Sequence, residues 1–107
     1  MDRHSDTDLV GAVRQGDRSA YAELVERYYG KVFVVCFAVL GNIHDAEDVA
    51  QDAMIAGLQK LRQLREAGQF GPWIAQIARN LSVNLVRKKA ATERALNRKP
   101  TEPVEQA

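Results

Sequence analysis

Between Trp73 and Lys89 the sequence gathers side chains suited to one kind of chemistry, the holding of nucleic acid. Set on a helix at about 100° per residue, Gln76, Arg79, Asn80, Val83 and Arg87 fall on one side, with Trp73 at its seam. The run closes with Arg87-Lys88-Lys89. Arg and Lys neutralise phosphates, Gln and Asn bond base edges, and a boundary Trp offers a stacking platform. A solvated face with a basic end, matched to the helix dipole, has the same outline. The absence of Asp and Glu from Gly71 to Thr92 favours nucleic acid, because a merely solvated helix interleaves Glu with Lys.

A second constellation lies upstream. Asp45, Asp48, Gln51, Asp52, Ile55 and Gln59 make a polar strip with one aliphatic residue in it. Such a strip resembles a protein-docking surface, where the apolar group anchors and the charges steer. Acidic capping of a helix N-terminus plus a stray isoleucine is the alternative. Along the other side run Ala46, Ala50, Ala53, Gly57 and Leu61, small enough to allow close approach of a neighbouring helix.

The formal net charge of +1 hides this division. Residues 42–59 hold Asp45, Glu47, Asp48 and Asp52 with no Lys or Arg, whereas residues 60–99 hold ten basic residues against Glu66 and Glu93. The two segments invite different partners. Although Asp45, Asp48 and Asp52 share a face, no Ca²⁺-loop, His-x-x-x-His or Glu-x-x-His pattern accompanies them. His4 and His44 are isolated, and neither a phosphate-cradling glycine loop nor a Ser/His/Asp spacing is present. The expectation is a non-enzyme with no metal and no cofactor. Cys36, inside an apolar run, reads as a buried structural thiol. The longest apolar stretch, Val32–Leu40, is too short to span a bilayer, so the expected location is cytoplasmic without membrane insertion.

The elements that must position these residues are helices, since apolar residues recur at helical spacing with no strand-like alternation. The punctuation at Gly16-Asp17, Gly41-Asn42 and Ala67-Gly68 predicts an all-α compact bundle of about four helices, near 6–15, 18–40, 44–61 and 70–91. The expected N-caps are Ser5 or Asp6, then Asp17, then Asn42 or His44, and Gly71-Pro72 opens the fourth helix. The second half of the second helix is apolar nearly all round, as expected of a central core helix. Gln63–Gln69 forms a short connecting loop.

Read together, three stretches resemble region 2 of bacterial sigma factors of the extracytoplasmic-function (ECF) group. They are Asp45-Ala-Glu-Asp-Val-Ala-Gln-Asp-Ala, Phe70-Gly-Pro-Trp-Ile-Ala-Gln-Ile-Ala-Arg-Asn-Leu-Ser and Arg87-Lys-Lys. The segment opening at Asp17-Arg-Ser-Ala-Tyr is similar to that family's region 2.1, and the likeness runs over residues 6–90. The resemblance implies a region 2 domain over 1–95 with its core at 6–90, a flexible linker over 96–107, and no region 4 helix-turn-helix domain in this chain. It further implies docking on the β′ clamp helices of RNA polymerase core through Asp45, Asp48, Gln51, Asp52, Ile55 and Gln59. Promoter DNA would be held as the non-template strand of the −10 element, with a base extruded into a pocket beside the loop. The loop residues so implied are Arg65, Glu66, Ala67, Gly68 and Gln69; the helix residues are Trp73, Gln76, Arg79, Asn80, Val83, Arg87 and Lys88. An anti-sigma factor is an implied further partner. Leu58 and Met54 depart from the aromatic residues common in the family, a change of packing more than of chemistry. The acidic and basic faces are expected on opposite sides of the domain. The competing readings are a stand-alone helical DNA-binding regulator and a protein-interaction module not acting with polymerase.

Overall fold

The computed structural model describes residues 4–97. Their order is α1 (Asp6–Arg14), α2 (Arg18–Leu40), α3 (Ile43–Gln59), two short 3₁₀ turns (Leu61–Gln63 and Ala67–Gln69) and α4 (Phe70–Asn97). No strand occurs among the described residues, and the all-α, four-helix expectation holds.

Each boundary has a local cause. Ser5 caps α1 by accepting from Asp8 N at 3.0 Å. Asp17 caps α2, accepting from Ser19 N at 3.0 Å and Ser19 Oγ at 2.6 Å, and the Ser19 hydroxyl holds its carboxyl below the usual range. Asn42 caps α3 by accepting from Asp45 N at 2.9 Å. Gly41 ends α2 at φ 66°, a left-handed turn that a side chain would oppose.

Two boundaries differ from the sequence expectation by more than one residue. Helix α3 stops at Gln59 rather than near 61. A 3₁₀ turn has three residues per turn, so it brings Leu61 and Leu64 to the same side, and both are buried. Helix α4 runs beyond 91 to Asn97, because Ala91, Glu93, Arg94, Ala95 and Leu96 are good helix formers with no Gly or Pro among them. The linker expected over 96–107 therefore begins inside this helix at 96–97, and its remainder lies outside the described residues.

The core forms where α2 packs on α3 and α4 while α1 covers the first half of α2. The small stripe of α3 does what its composition suggests: Ala46, Ala50 and Ala53 are fully buried. Phe70, also fully buried, is the aromatic hub. Its ring centroid lies 6.1 Å from Tyr21 edge-on, 5.6 Å from Tyr28 and 5.9 Å from Trp73. Burying such a ring contributes about 1.5–3 kcal/mol, and here it anchors the start of α4 directly after the loop.

Helix α2 is not buried all round, contrary to expectation: Val34 is 63% and Phe37 41% exposed. Helix α1 is only 9 residues long and runs back along α2 from the turn at 15–17, so its start at Asp6, paired with Arg27 at 2.7 Å, marks the limit of its reach. The outer face of the second half has no neighbour among the described residues. Cys36 on the inner face is a buried free thiol, as expected, and burial pushes its pKa up. The buried Ser82 hydroxyl of α4 works the other way on that thiol and has no hydrogen-bond partner of ordinary geometry among the described residues.

Candidate nucleic-acid interface

The site begins at the loop between α3 and α4. Gln63 N donates to Lys60 O at 2.8 Å, and Gln69 N donates to Glu66 O at 2.8 Å, closing the two 3₁₀ turns. Between them Leu64-Arg65-Glu66 crosses in extended conformation at Leu64 and Glu66. The crossing leaves an open depression of about 420 Å³ lined by Gln63, Leu64, Arg65, Glu66, Gln69, Pro72 and Trp73. Of the loop residues expected at the site, Arg65, Glu66, Gly68 and Gln69 are exposed, while Ala67 is half-buried against the core. Trp73 stands between depression and core, half-buried, with its ring tilted 51° to Phe70.

From Trp73 the exposed face of α4 continues as a row. Gln76, Arg79, Asn80 and Arg87 are exposed and Val83 half-buried, while Ile74, Ala78 and Ser82 on the opposite side are buried. Gln76 Nε2 donates to Asn80 Oδ1 at 2.9 Å. That bond aligns the two amides along the helix and leaves the Asn80 NH₂ and the Gln76 carbonyl free for a base edge. Lys88 does not join the row. It lines a groove of about 390 Å³ between α3 and α4, with Leu81, Asn84 and Leu85 on its own helix and Asp45, Asp48, Val49 and Asp52 on the other.

That groove departs from the expectation of opposed faces at one residue. Helices α3 and α4 are packed neighbours, and Lys88 meets Asp45, Asp48 and Asp52 along the groove, which Gln76, Arg79, Asn80 and Arg87 do not line. Asp48, Gln51, Asp52, Ile55 and Gln59 are all exposed on α3, with Ile55 at 56%. The strip winds as it descends. Its carboxylates border α4, whereas Ile55 and Gln59 border a second groove, about 540 Å³, shared with Arg18, Tyr21, Val25, Met54 and Leu58. Met54 is buried and Leu58 half-buried, so both pack the floor between α2 and α3. Asp45, half-buried, is ion-paired with Lys89.

The sequence pattern does not single out Gln63, Leu64 and Pro72 in the depression, nor Asn84 on the α4 wall of the acidic groove. Among the described residues no group of three or more His, Cys, Asp or Glu side chains could hold a metal ion. No described helix is long and apolar enough to cross a membrane.

The all-α, four-helix arrangement is that of a sigma region 2-like bundle. The sigma-70 region 2 family model matches residues 24–92, and the chain belongs to that family. Within it, the relatives matched are largely ECF sigma factors. The chain is 38% identical over 80 residues to the ECF RNA polymerase sigma factor SigW of Bacillus subtilis, covering 75% of this chain and 43% of that protein. It is 31% identical over 84 residues to the RNA polymerase sigma-H factor of Pseudomonas aeruginosa, covering 78% and 44%. It is 34% identical over 80 residues to the ECF RNA polymerase sigma-E factor of Escherichia coli K12, covering 75% and 41%. The matches thus span under half the length of these relatives.

Proposed function

We propose that this domain serves a transcription initiation factor by docking on the β′ clamp helices of RNA polymerase core and by recognising and helping to melt the −10 promoter element. The observation that carries the reading is the continuity of the loop depression with Trp73 and the row Gln76, Arg79, Asn80 and Arg87. A base taken out of the stack costs a few kcal/mol, which stacking, edge hydrogen bonds and phosphate contacts must offset. The depression offers polar edges from Gln63, Glu66 and Gln69 and an aromatic wall from Trp73. The row beyond it offers two arginines for the phosphates and two amides for base edges. Polymerase docking falls to Asp48, Gln51, Asp52, Ile55 and Gln59, where exposed carboxylates steer and the exposed isoleucine anchors. An anti-sigma factor would act by covering either surface.

The test measures affinity for a non-template −10 single strand and for the same sequence as duplex, across a salt series. The single strand is expected to bind more tightly, with affinity falling steeply as salt rises. Equal binding to both forms would remove strand capture. In parallel, a β′ clamp-helix fragment is titrated with the native chain and with the Asp48→Lys, Asp52→Lys double variant. Unchanged affinity in the variant would remove the docking claim while leaving the DNA claim standing.

A further inference from the structure

Arg14, in the last turn of α1, sends its guanidinium across to the loop. Its Nη2 donates to Leu61 O at 3.2 Å and also to Leu64 O. The two carbonyls bracket the first 3₁₀ turn, and Leu64 lines the loop depression. Leu61 O already accepts from Leu64 N at 3.1 Å. Leu64 O receives no backbone N–H among the described residues, so the arginine is its donor. Short 3₁₀ turns hold themselves together poorly and leave their last carbonyls orphaned. A planar cation meeting two of them in one geometry is a stiff clasp, since hydrogen bonds to a charged donor are the stronger kind. The second turn leans on α1 as well: a Cβ built on Gly68 would lie 3.3 Å from Thr7 Oγ1.

We propose that Arg14 is a positioning residue for the loop depression, fixing the Leu61–Leu64 wall and thereby setting how sharply one base is preferred over the others at the captured position. The proposal rests on the reading that the depression receives a base of the opened strand. Arg14 itself touches no DNA in it: both of its bonds are internal, and its effect passes through the wall it holds.

The experiment captures a pool of single-stranded oligonucleotides, randomised over a short window, on the native chain, Arg14→Ala and Arg14→Lys, and sequences the pool before and after. The DNA-free proteins are compared by amide hydrogen exchange. The native chain is expected to show a marked base preference at one position. Arg14→Ala should flatten that preference by about tenfold, with the salt slope unchanged because every phosphate keeps its cation. Amides of Gln63–Gln69 should exchange about tenfold faster in Arg14→Ala, with core amides of α2 and α4 unaffected. Arg14→Lys keeps the charge and can meet one carbonyl, so it should recover part of both losses, and it carries the test if the alanine variant fails to fold. An unflattened preference in Arg14→Ala overturns the proposal, whether or not the loop loosens. Absence of any preference in the native chain overturns the base-capture reading beneath it, an outcome visible before any variant is made.

Discussion

Lys89, in the basic run of α4, is ion-paired with Asp45, which sits in the first turn of α3. The Asp45 side chain is 25% exposed and the Lys89 side chain 59%, so the pair is well screened. Such pairs contribute about 0–1 kcal/mol. The larger consequence concerns which charges are free. The pair withdraws one cation from the basic run Arg87-Lys88-Lys89 and one anion from the acidic strip.

Replacing Asp45 by Asn should therefore change binding more than stability. The unfolding free energy is expected to stay within about 1 kcal/mol of the native value. Freed Lys89 should add a phosphate contact, steepening the plot of log affinity against log salt for single strands by about 0.7. An unaltered slope would show that Lys89 lies off the strand's path.

Arg79 and Arg87 make the converse case. Both are exposed on α4 and neither is ion-paired among the described residues. Changing both to Ala should leave the melting temperature within a few degrees, since surface substitutions typically cost under about 0.5 kcal/mol each. The same salt plot should flatten by about 0.7 for each phosphate that the arginines had neutralised. Affinity that fell with no change in slope would point to damage elsewhere.

Why these residues are legible in the sequence, and others not, follows from periodicity. The row on α4 and the strip on α3 lie on single regular helices, where spacing alone assigns a face. Arg14 and Leu64 meet across 50 positions of chain, through an arginine side chain and a carbonyl with no sequence signature. Lys88 is adjacent to Arg87 in sequence but not in direction. Neighbouring residues on a helix diverge by about 100°, which turns it out of the row and into the groove with the carboxylates. The exposure of Val34 and Phe37 is equally hidden. An apolar run signals burial only where a neighbour exists to cover it, and the length of α1 decides that.

Two glycines should respond in opposite ways to the same substitution. A Cβ on Gly57 would lie 2.4 Å from Ile74 Cδ1 and 2.9 Å from the Tyr21 hydroxyl. Neither can yield readily: Ile74 is fully buried and Tyr21 donates to Met54 O. Overpacking of about 1–3 kcal/mol should outweigh a gain of up to about 1 kcal/mol in helix propensity, so Gly57→Ala destabilises. Gly30, exposed within α2, has nothing within 4 Å of a built Cβ. There the propensity gain stands alone, and Gly30→Ala should stabilise by about 0.5–1 kcal/mol. Denaturant unfolding of both variants decides, and a stabilised Gly57→Ala would mean that α3 and α4 can part without cost at Ile74.

The buried phenol of Tyr21 gives the domain a characteristic failure in alkali. Burial between α2 and α3 pushes its pKa from 10.0 up to about 12. The folded chain therefore holds this proton more tightly than the unfolded chain does. The resulting stability is fully present below pH 10, where both forms are protonated, and is lost as pH rises from about 10 to about 12. Two pH units correspond to about 2–3 kcal/mol at most. Tyr28 and Tyr29 are raised too, Tyr28 mainly by its bond to Asp6 and Tyr29 mainly by burial, so they act in the same direction. Tyr21→Phe removes the largest contributor while also losing a bond to Met54 O worth about 1 kcal/mol. The variant should be less stable than the native chain at pH 8, and the gap should narrow or reverse by pH 12. Urea titrations at pH 8, 10 and 11.5 measure it, and a gap constant across that range would mean that the Tyr21 hydroxyl is no more shielded from water in the folded chain than in the unfolded one.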